Sequence, residues 1–368
     1  MNELKKVIIS GGGTGGHIFP AVSIANALRK RFPDIDILFV GAEGRMEMER
    51  VPKAGYPMGG LPVSGFDRKN LLRNFKVLWR LWKSMRRAKS VIKSFKPQVA
   101  VGVGGYASGP TLKAAQKKGI PTVLQEQNSY PGVTNKMLGK NARAVCTAYD
   151  EAARFFPEGK VVLTGNPVRA ALLDVDLTQA EAKSRLGFDP AKPLVLVVGG
   201  SLGARTINRS MAAGLQQFVD SGIQLLWQTG KAYENEIPAA LKGMPDSIKA
   251  TPFIDDMGLA YRAADLVVAR AGAGTISELQ LLGKAVLLVP SPNVAEDHQR
   301  KNAQALVNHQ AAEMVLDAEA PARLTAEAIA LVKQPQRLKA MSEAISAMAL
   351  RDSADKIVDE ILKATEGL

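Results

Sequence analysis

Residues 10–20 read Ser-Gly-Gly-Gly-Thr-Gly-Gly-His-Ile-Phe-Pro and join the apolar run Val7-Ile8-Ile9 to an amphipathic run over residues 21–32. Five glycines within six residues are more than a tight turn requires. A strand feeding a helix through such a turn presents bare backbone N–H groups at a helix N-terminus, an arrangement that favours a phosphate or a developing oxyanion. The device recurs twice. Gly-Gly-Ser-Leu-Gly-Ala-Arg at 199–205 follows the apolar run 194–198, and Arg-Ala-Gly-Ala-Gly-Thr-Ile-Ser-Glu at 270–278 follows the run 266–269.

Between these turns, short β-branched runs alternate with longer amphipathic ones. Residues 7–9, 35–40, 99–103, 122–124 and 144–147 predict strands, and 21–32 and 110–118 predict helices between them. That is the pattern of an α/β, doubly wound parallel sheet. It pauses at Thr164-Gly165-Asn166-Pro167, a run of turn formers, and restarts with strands expected at 194–198, 225–228, 266–269 and 285–289. A chain of 368 residues exceeds what one core usually serves. We therefore expect two similar domains, 1–166 and 167–348, with a ligand in a cleft between them, and the last helix within 349–368 as a candidate for packing back on the first.

Composition narrows the chemistry. One cysteine, Cys146, excludes an internal disulfide, and three histidines at 17, 298 and 309 offer no zinc-ligand spacing, so no metal and no cofactor is expected. Asp34-Ile35-Asp36 and Asp174-Val175-Asp176 read as solvated turns rather than a metal pair. No apolar stretch is long enough to span a bilayer, and the N-terminal residues lack the apolar core of a signal peptide, which predicts a cytoplasmic protein. The net charge of +13 points to an anionic partner. Nucleic acid is not expected, because no recognition module is visible.

Within the turns, His17 titrates near neutral pH at the edge of a glycine cradle and is a candidate proton acceptor. Ser201 can donate to a phosphate and Arg205 can neutralise one. Glu278, one turn into a helix behind a glycine turn, is placed to reach the hydroxyls of a ribose. From Arg68 to Lys96 there are eleven Lys or Arg and no acidic residue, with Leu71, Phe75, Leu78, Trp82 and Met85 at helical spacing and Trp79 beside them. Such a basic amphipathic helix suits an anionic membrane surface, apolar face in the acyl boundary and cations on the headgroups.

The three glycine turns, together with Gly-Gly-Tyr-Ala-Ser-Gly-Pro at 104–110, Glu-Gln-Asn-Ser-Tyr-Pro-Gly at 126–132, Thr-Gly-Asn-Pro-Val-Arg at 164–169 and Asp-His-Gln at 297–299, resemble in that order the MurG-type N-acetylglucosaminyltransferases of bacterial peptidoglycan synthesis. The resemblance covers nearly the whole chain. It implies a GT-B fold of two Rossmann-like domains facing a cleft. It also implies transfer of N-acetylglucosamine from UDP-N-acetylglucosamine to the 4-hydroxyl of the muramoyl sugar of an undecaprenyl-diphosphate-linked acceptor, with inversion in one displacement. The site is expected at the cytoplasmic face of the cell membrane, in a peripheral protein.

Residue by residue, the resemblance implies that Thr14, Gly15 and Gly16 border the sugar and diphosphate, with His17 as the catalytic base. Asn128 contacts the donor sugar, and Arg169 and Ser201 the diphosphate. Ile254 frames the uracil through its backbone. Ala273, Gly274 and Thr275 belong to the third turn's binding surface, Glu278 holds the ribose, and Gln299 binds the transferred sugar. His298 stands where many relatives carry glutamine, and no role is assigned to it. Three other readings stay open: a UDP-sugar epimerase, a non-catalytic sugar-nucleotide or glycolipid binding protein of the same fold, and an NAD-dependent oxidoreductase. The last rests on Gly11-x-Gly13-x-x-Gly16 with Asp34 and Asp36 downstream.

Overall fold

The computed structural model describes residues 4–64, 74–169, 172–200, 202–294 and 297–366. The chain divides into two compact units, Met1–Arg169 with Leu350–Leu368, and Ala170–Ala349.

In the first unit the β-branched runs form strands β1 (Lys6–Gly11), β2 (Asp36–Ala42), β3 (Met58–Leu61), β4 (Val99–Gly104), β5 (Thr122–Glu126), β6 (Ala144–Thr147) and β7 (Val161–Leu163). They pair in the order β3-β2-β1-β4-β5-β6-β7, and every pair is parallel. Both faces are covered, which is why the central strands are apolar throughout rather than alternating. Val7, Ile9, Val101 and Val103 pack against Ile24 and Leu28 of the helix Gly15–Arg31 and against Ile357, Val358 and Ile361 of the final helix Ser353–Thr365. Ile8, Val40 and Ala100 on the opposite face meet Ala88 and Ile92 of the helix Asn74–Phe95 and Ala114 and Ala115 of the helix Ser108–Lys117. Cys146 lies fully buried in the first of these cores.

The second unit repeats the plan with β8 (Leu194–Val198), β9 (Gln224–Gln228), β10 (Ile248–Thr251), β11 (Leu266–Ala269), β12 (Val286–Leu288) and β13 (Glu313–Met314). Their order is β10-β9-β8-β11-β12-β13, again all parallel. Trp227, Phe218, Met211 and Leu324 are among its largest core side chains.

Each sheet reverses its winding at one place, between β1 and β4 in the first and between β8 and β11 in the second. The loops leaving the carboxyl ends of two such neighbouring strands diverge to opposite faces and open a crevice, where doubly wound sheets bind their ligands. The glycine turns leave β1, β8 and β11, which puts all three at these crevices.

One local expectation is revised. The first helix starts at Gly15, not at residue 21, and carries Pro20 inside it. Proline at the sixth position removes only the N–H that would have bonded the Gly16 carbonyl, so the helix tolerates it near its start. In the helix Asn74–Phe95, part of the stripe expected to face a membrane surface is turned away from the sheet. Val77, Ser84, Ala88 and Ile92 turn inward, while Leu78, Trp79 and Trp82 are more than half exposed at 53%, 58% and 56%. Leu71 lies outside the described residues.

Candidate active site

At the switch point of the first sheet, the turns after β1 and β4 are fastened together. The Gly12 N–H donates to the Gly104 carbonyl at 3.3 Å, and a Cβ on Gly105 would fall 2.4 Å from the Gly12 oxygen. Only glycine allows two backbones to approach so closely, with Gly104 and Gly105 both at positive φ. His17 sits in the first helix above this junction. Its Nδ1 lies 2.9 Å from the Gly12 carbonyl and 3.3 Å from the Thr14 hydroxyl. A carbonyl can only accept, so Nδ1 carries the proton and donates, and Nε2 is left with its lone pair. A Cβ on Gly104 would stand 2.9 Å from that Nε2. Desolvation holds the His17 imidazolium below the ordinary histidine value, opposed in turn by the Gly12 hydrogen bond and by the carboxylates of Glu126 and Glu47.

Those two carboxylates were not among the residues singled out from sequence. Glu47, 1% exposed, accepts from the Gly13 N–H at 2.8 Å and the Ala42 N–H at 3.0 Å. This revises the view of the first turn as an anion cradle: one of its N–H groups is already held by an internal carboxylate. Glu126, also buried, accepts from the Asn128 backbone and side chain at 3.0 and 3.1 Å and from Asn135 at 2.8 Å. Asn128 is therefore oriented by Glu126. Arg169 stacks on Phe19, its guanidinium carbon 4.5 Å from the ring centroid, and a Cβ on Gly15 would be 3.0 Å from the same ring. Thr14 holds the N-cap position of the helix that Gly15 and Gly16 begin, without a capping bond from its side chain. Thr14, Gly15, Gly16, His17 and Arg169 thus gather about the first turn.

The second unit holds the rest. Gly203 packs on the turn after β9, where a Cβ on Gly230 would fall 2.0 Å from the Gly203 nitrogen. Beside this turn a hollow of about 490 Å³ is lined by Arg205, Thr206, Tyr233, Arg270, Ser291 and Gln299, among others. Arg270 is held by the Asp317 carboxylate and by the Val289 and Pro290 carbonyls at 3.0 and 3.2 Å. The Gln299 side chain accepts from the Ser291 N–H at 2.9 Å, so it faces the hollow from the start of the helix His298–Asn308. Ala273, Gly274 and Thr275 open the helix Ala273–Leu282 behind Gly272, and a Cβ on Gly274 would meet open space. Glu278 is the sixth residue of that helix, beyond the reach of a first-turn dipole interaction, and accepts from the Tyr261 hydroxyl at 3.2 Å. The Ile254 N–H donates to the Gln228 side chain at 3.1 Å. Ser201 lies outside the described residues.

The acidic pair Asp34 and Asp36 does not serve a dinucleotide. Asp36 begins β2, whereas a ribose-binding carboxylate ends it; seven residues of strand, about 20 Å, separate it from the glycine turn's edge.

Comparison with known proteins agrees with the duplicated plan. The profile of the glycosyltransferase family 28 N-terminal domain matches residues 7–147, and that of the family 28 C-terminal domain matches residues 194–357. The chain belongs to glycosyltransferase family 28. A relative from Phocaeicola vulgatus is 58% identical over 99% of this chain and 97% of its own length. One from Bacteroides thetaiotaomicron is 55% identical over 100% and 99%. Both are UDP-N-acetylglucosamine–N-acetylmuramyl-(pentapeptide) pyrophosphoryl-undecaprenol N-acetylglucosamine transferases. The crystal structure of MurG from Acinetobacter baumannii superimposes with a TM-score of 0.73 at 28% identity, covering 98% of this chain and 99% of that one. The family 28 enzyme thus has the GT-B pair of Rossmann-like domains. UDP-N-acetylglucosamine 2-epimerases match at 14% and 17% identity, a likeness of fold alone.

Proposed function

We propose that this glycosyltransferase moves N-acetylglucosamine from UDP-N-acetylglucosamine to N-acetylmuramyl-(pentapeptide) pyrophosphoryl-undecaprenol. Relatives above half identity over nearly the full length carry that activity in their names, which sets it ahead of epimerisation or binding without turnover. The observation that carries the mechanism is the imidazole of His17, with Nδ1 on the Gly12 carbonyl and Nε2 on the side of Gly104. Nε2 takes the proton of the muramoyl 4-hydroxyl as its oxygen attacks the anomeric carbon. The bond from that carbon to the β-phosphate oxygen breaks, and UDP leaves with the electron pair. Attack opposite the leaving group inverts the anomeric centre in one step.

Charge develops on the departing diphosphate. The N-terminus of the helix at Ala273–Thr275, with Arg270 and Arg205 at the hollow, is suited to stabilise it. Glu278 holds the ribose hydroxyls, Ile254 the uracil, Gln299 and Asn128 the sugar, and Arg169 and Ser201 the diphosphate. Radiolabelled donor incubated with and without the lipid-linked acceptor tests the reading. Label should pass to the lipid only when acceptor is present; release of free sugar or an epimer in its absence would overturn it.

The lipid anchor of the acceptor puts the work at a membrane surface, on its cytoplasmic face. Among the described residues no helix is long and apolar enough to cross a membrane. The helix Asn74–Phe95 instead exposes Leu78, Trp79 and Trp82 beside Arg80, Lys83 and Arg86, a pairing suited to an anionic leaflet at about 1 kcal/mol per cation plus a salt-insensitive apolar part. Arg73 and its neighbours in 65–73 lie outside the described residues. Replacing Arg80, Lys83 and Arg86 by Glu should abolish sedimentation with anionic vesicles while transfer to a short-chain soluble acceptor stays near normal. Undiminished vesicle binding would sink the assignment.

A further inference from the structure

We propose that Glu47 is the positioning residue for His17: its buried carboxylate clamps the first glycine turn, so that the Gly12 carbonyl holds the imidazole by Nδ1 and leaves Nε2 to the substrate. The inference rests on the reading of His17 as the base. Glu47 opens the short helix Glu47–Lys53 that follows β2, yet it does not face solvent as a first-turn glutamate usually does. It is 1% exposed. One oxygen accepts the Gly13 N–H and the other the Ala42 N–H, at 2.8 and 3.0 Å. A single group therefore ties the turn after β1 to the end of β2.

The surroundings are cut to fit this carboxylate. A Cβ on Gly12 would fall 2.2 Å from its Oε1, and a Cβ on Gly41 2.6 Å from its Cγ. Glycine at both positions is what allows the side chain in, so Gly12, Gly41 and Glu47 form one unit drawn from three places in the chain. The Gly13 N–H that Glu47 holds and the Gly12 carbonyl that His17 Nδ1 meets at 2.9 Å belong to one planar peptide group. Glu47 thus sets the anchor of the ring and places a negative charge behind it, which favours the imidazolium that forms when the substrate's proton arrives. The other carboxylate acting on the ring is Glu126 at the end of β5; Arg169 stands across the Phe19 ring.

The test follows the charge and the reach separately. With three histidines in the chain, the imidazole resonances of the full-length protein can be titrated by NMR and the His17 signal assigned by its loss in His17→Ala. In Glu47→Gln the His17 midpoint should fall, and the acidic limb of kcat/KM should move to lower pH with it. Glu47→Asp keeps the charge but shortens the reach, so the limb should stay in place while kcat drops at least tenfold and the donor KM holds. An unmoved His17 midpoint in a folded Glu47→Gln protein overturns the proposal, as does a wild-type kcat in Glu47→Asp. If Glu47→Gln does not fold, the Asp variant alone decides. Failure of the base assignment looks different: His17→Ala would retain the acidic limb, whatever Glu47 does.

Discussion

The glycine turns after β1 and after β8 both open on Gly-Gly, and they differ in the charges beside them. The first has its Gly13 N–H filled by the buried Glu47, with Glu126 also acting on the histidine above it. The other opens beside a hollow lined by Arg205 and by Arg270, the latter paired with Asp317, which also lines it. Glycines supply the shape in both. The charges beside them differ, buried carboxylates at the first and the exposed Arg205 with the half-buried Arg270 at the other, which is the basis for proposing that one receives a proton and the other an anion.

The sharpest way to break this contrast is to remove one chemistry at a time. His17→Ala should lower kcat about a hundredfold or more and erase the acidic limb, while UDP affinity measured by calorimetry barely changes. Near wild-type turnover would assign the proton to another group. In the other unit, Glu278→Ala should weaken UDP binding by about 1.5 to 3 kcal/mol, roughly 10- to 150-fold, as expected for a charged hydrogen bond; an unchanged titration would remove Glu278 from the site.

Backbone substitutions sharpen the comparison further. Gly105→Ala places a Cβ 2.4 Å from the Gly12 oxygen at φ +91°, and Gly230→Ala places one 2.0 Å from the Gly203 nitrogen at φ +85°. Each should cost about 1 to 3 kcal/mol in chemical denaturation. The first should lose turnover yet bind UDP, and the second should lose UDP; the same loss in both would erase the distinction between the turns. The smallest effect is in pH. Burial holds His17 below its ordinary 6.5, so its neutral, proton-accepting form persists to lower pH. The acidic limb of the wild-type kcat/KM should therefore lie below pH 6.5, and a limb above it would mean that the carboxylates outweigh burial.

Much of this was legible in the chain because it is written in local patterns. The strands at 144–147, 194–198 and 266–269 are contiguous apolar runs, and the structure forms them at those bounds. Two of the edge strands, β3 and β13, were not legible. Met58-Gly59-Gly60-Leu61 has two glycines and no β-branched residue, and β13 is two residues long, so pairing partners rather than propensity make them strands. The first helix hid its start behind Gly15, Gly16 and Pro20, all poor helix formers in isolation. Glu47 was invisible for another reason: in sequence it is one acid among several in Glu43–Glu49, and only its burial under two glycines distinguishes it. Glu126 lay inside a motif already in view, and its contact with Asn128 two residues on was the missed signal.

The final helix has a bearing on how the protein is made. Ile357, Val358 and Ile361 complete the core of the first unit, but the roughly 180 residues of Ala170–Ala349 are synthesised before them. At about 5 to 20 residues per second, the sheet of the first unit waits on the order of 10 to 40 s with one apolar face covered only in part, by the helix Gly15–Arg31, while the second unit emerges whole. The half that is translated first is then the half that finishes folding last, and a ribosome that stops short of residue 350 releases a complete second unit attached to an unfinished first.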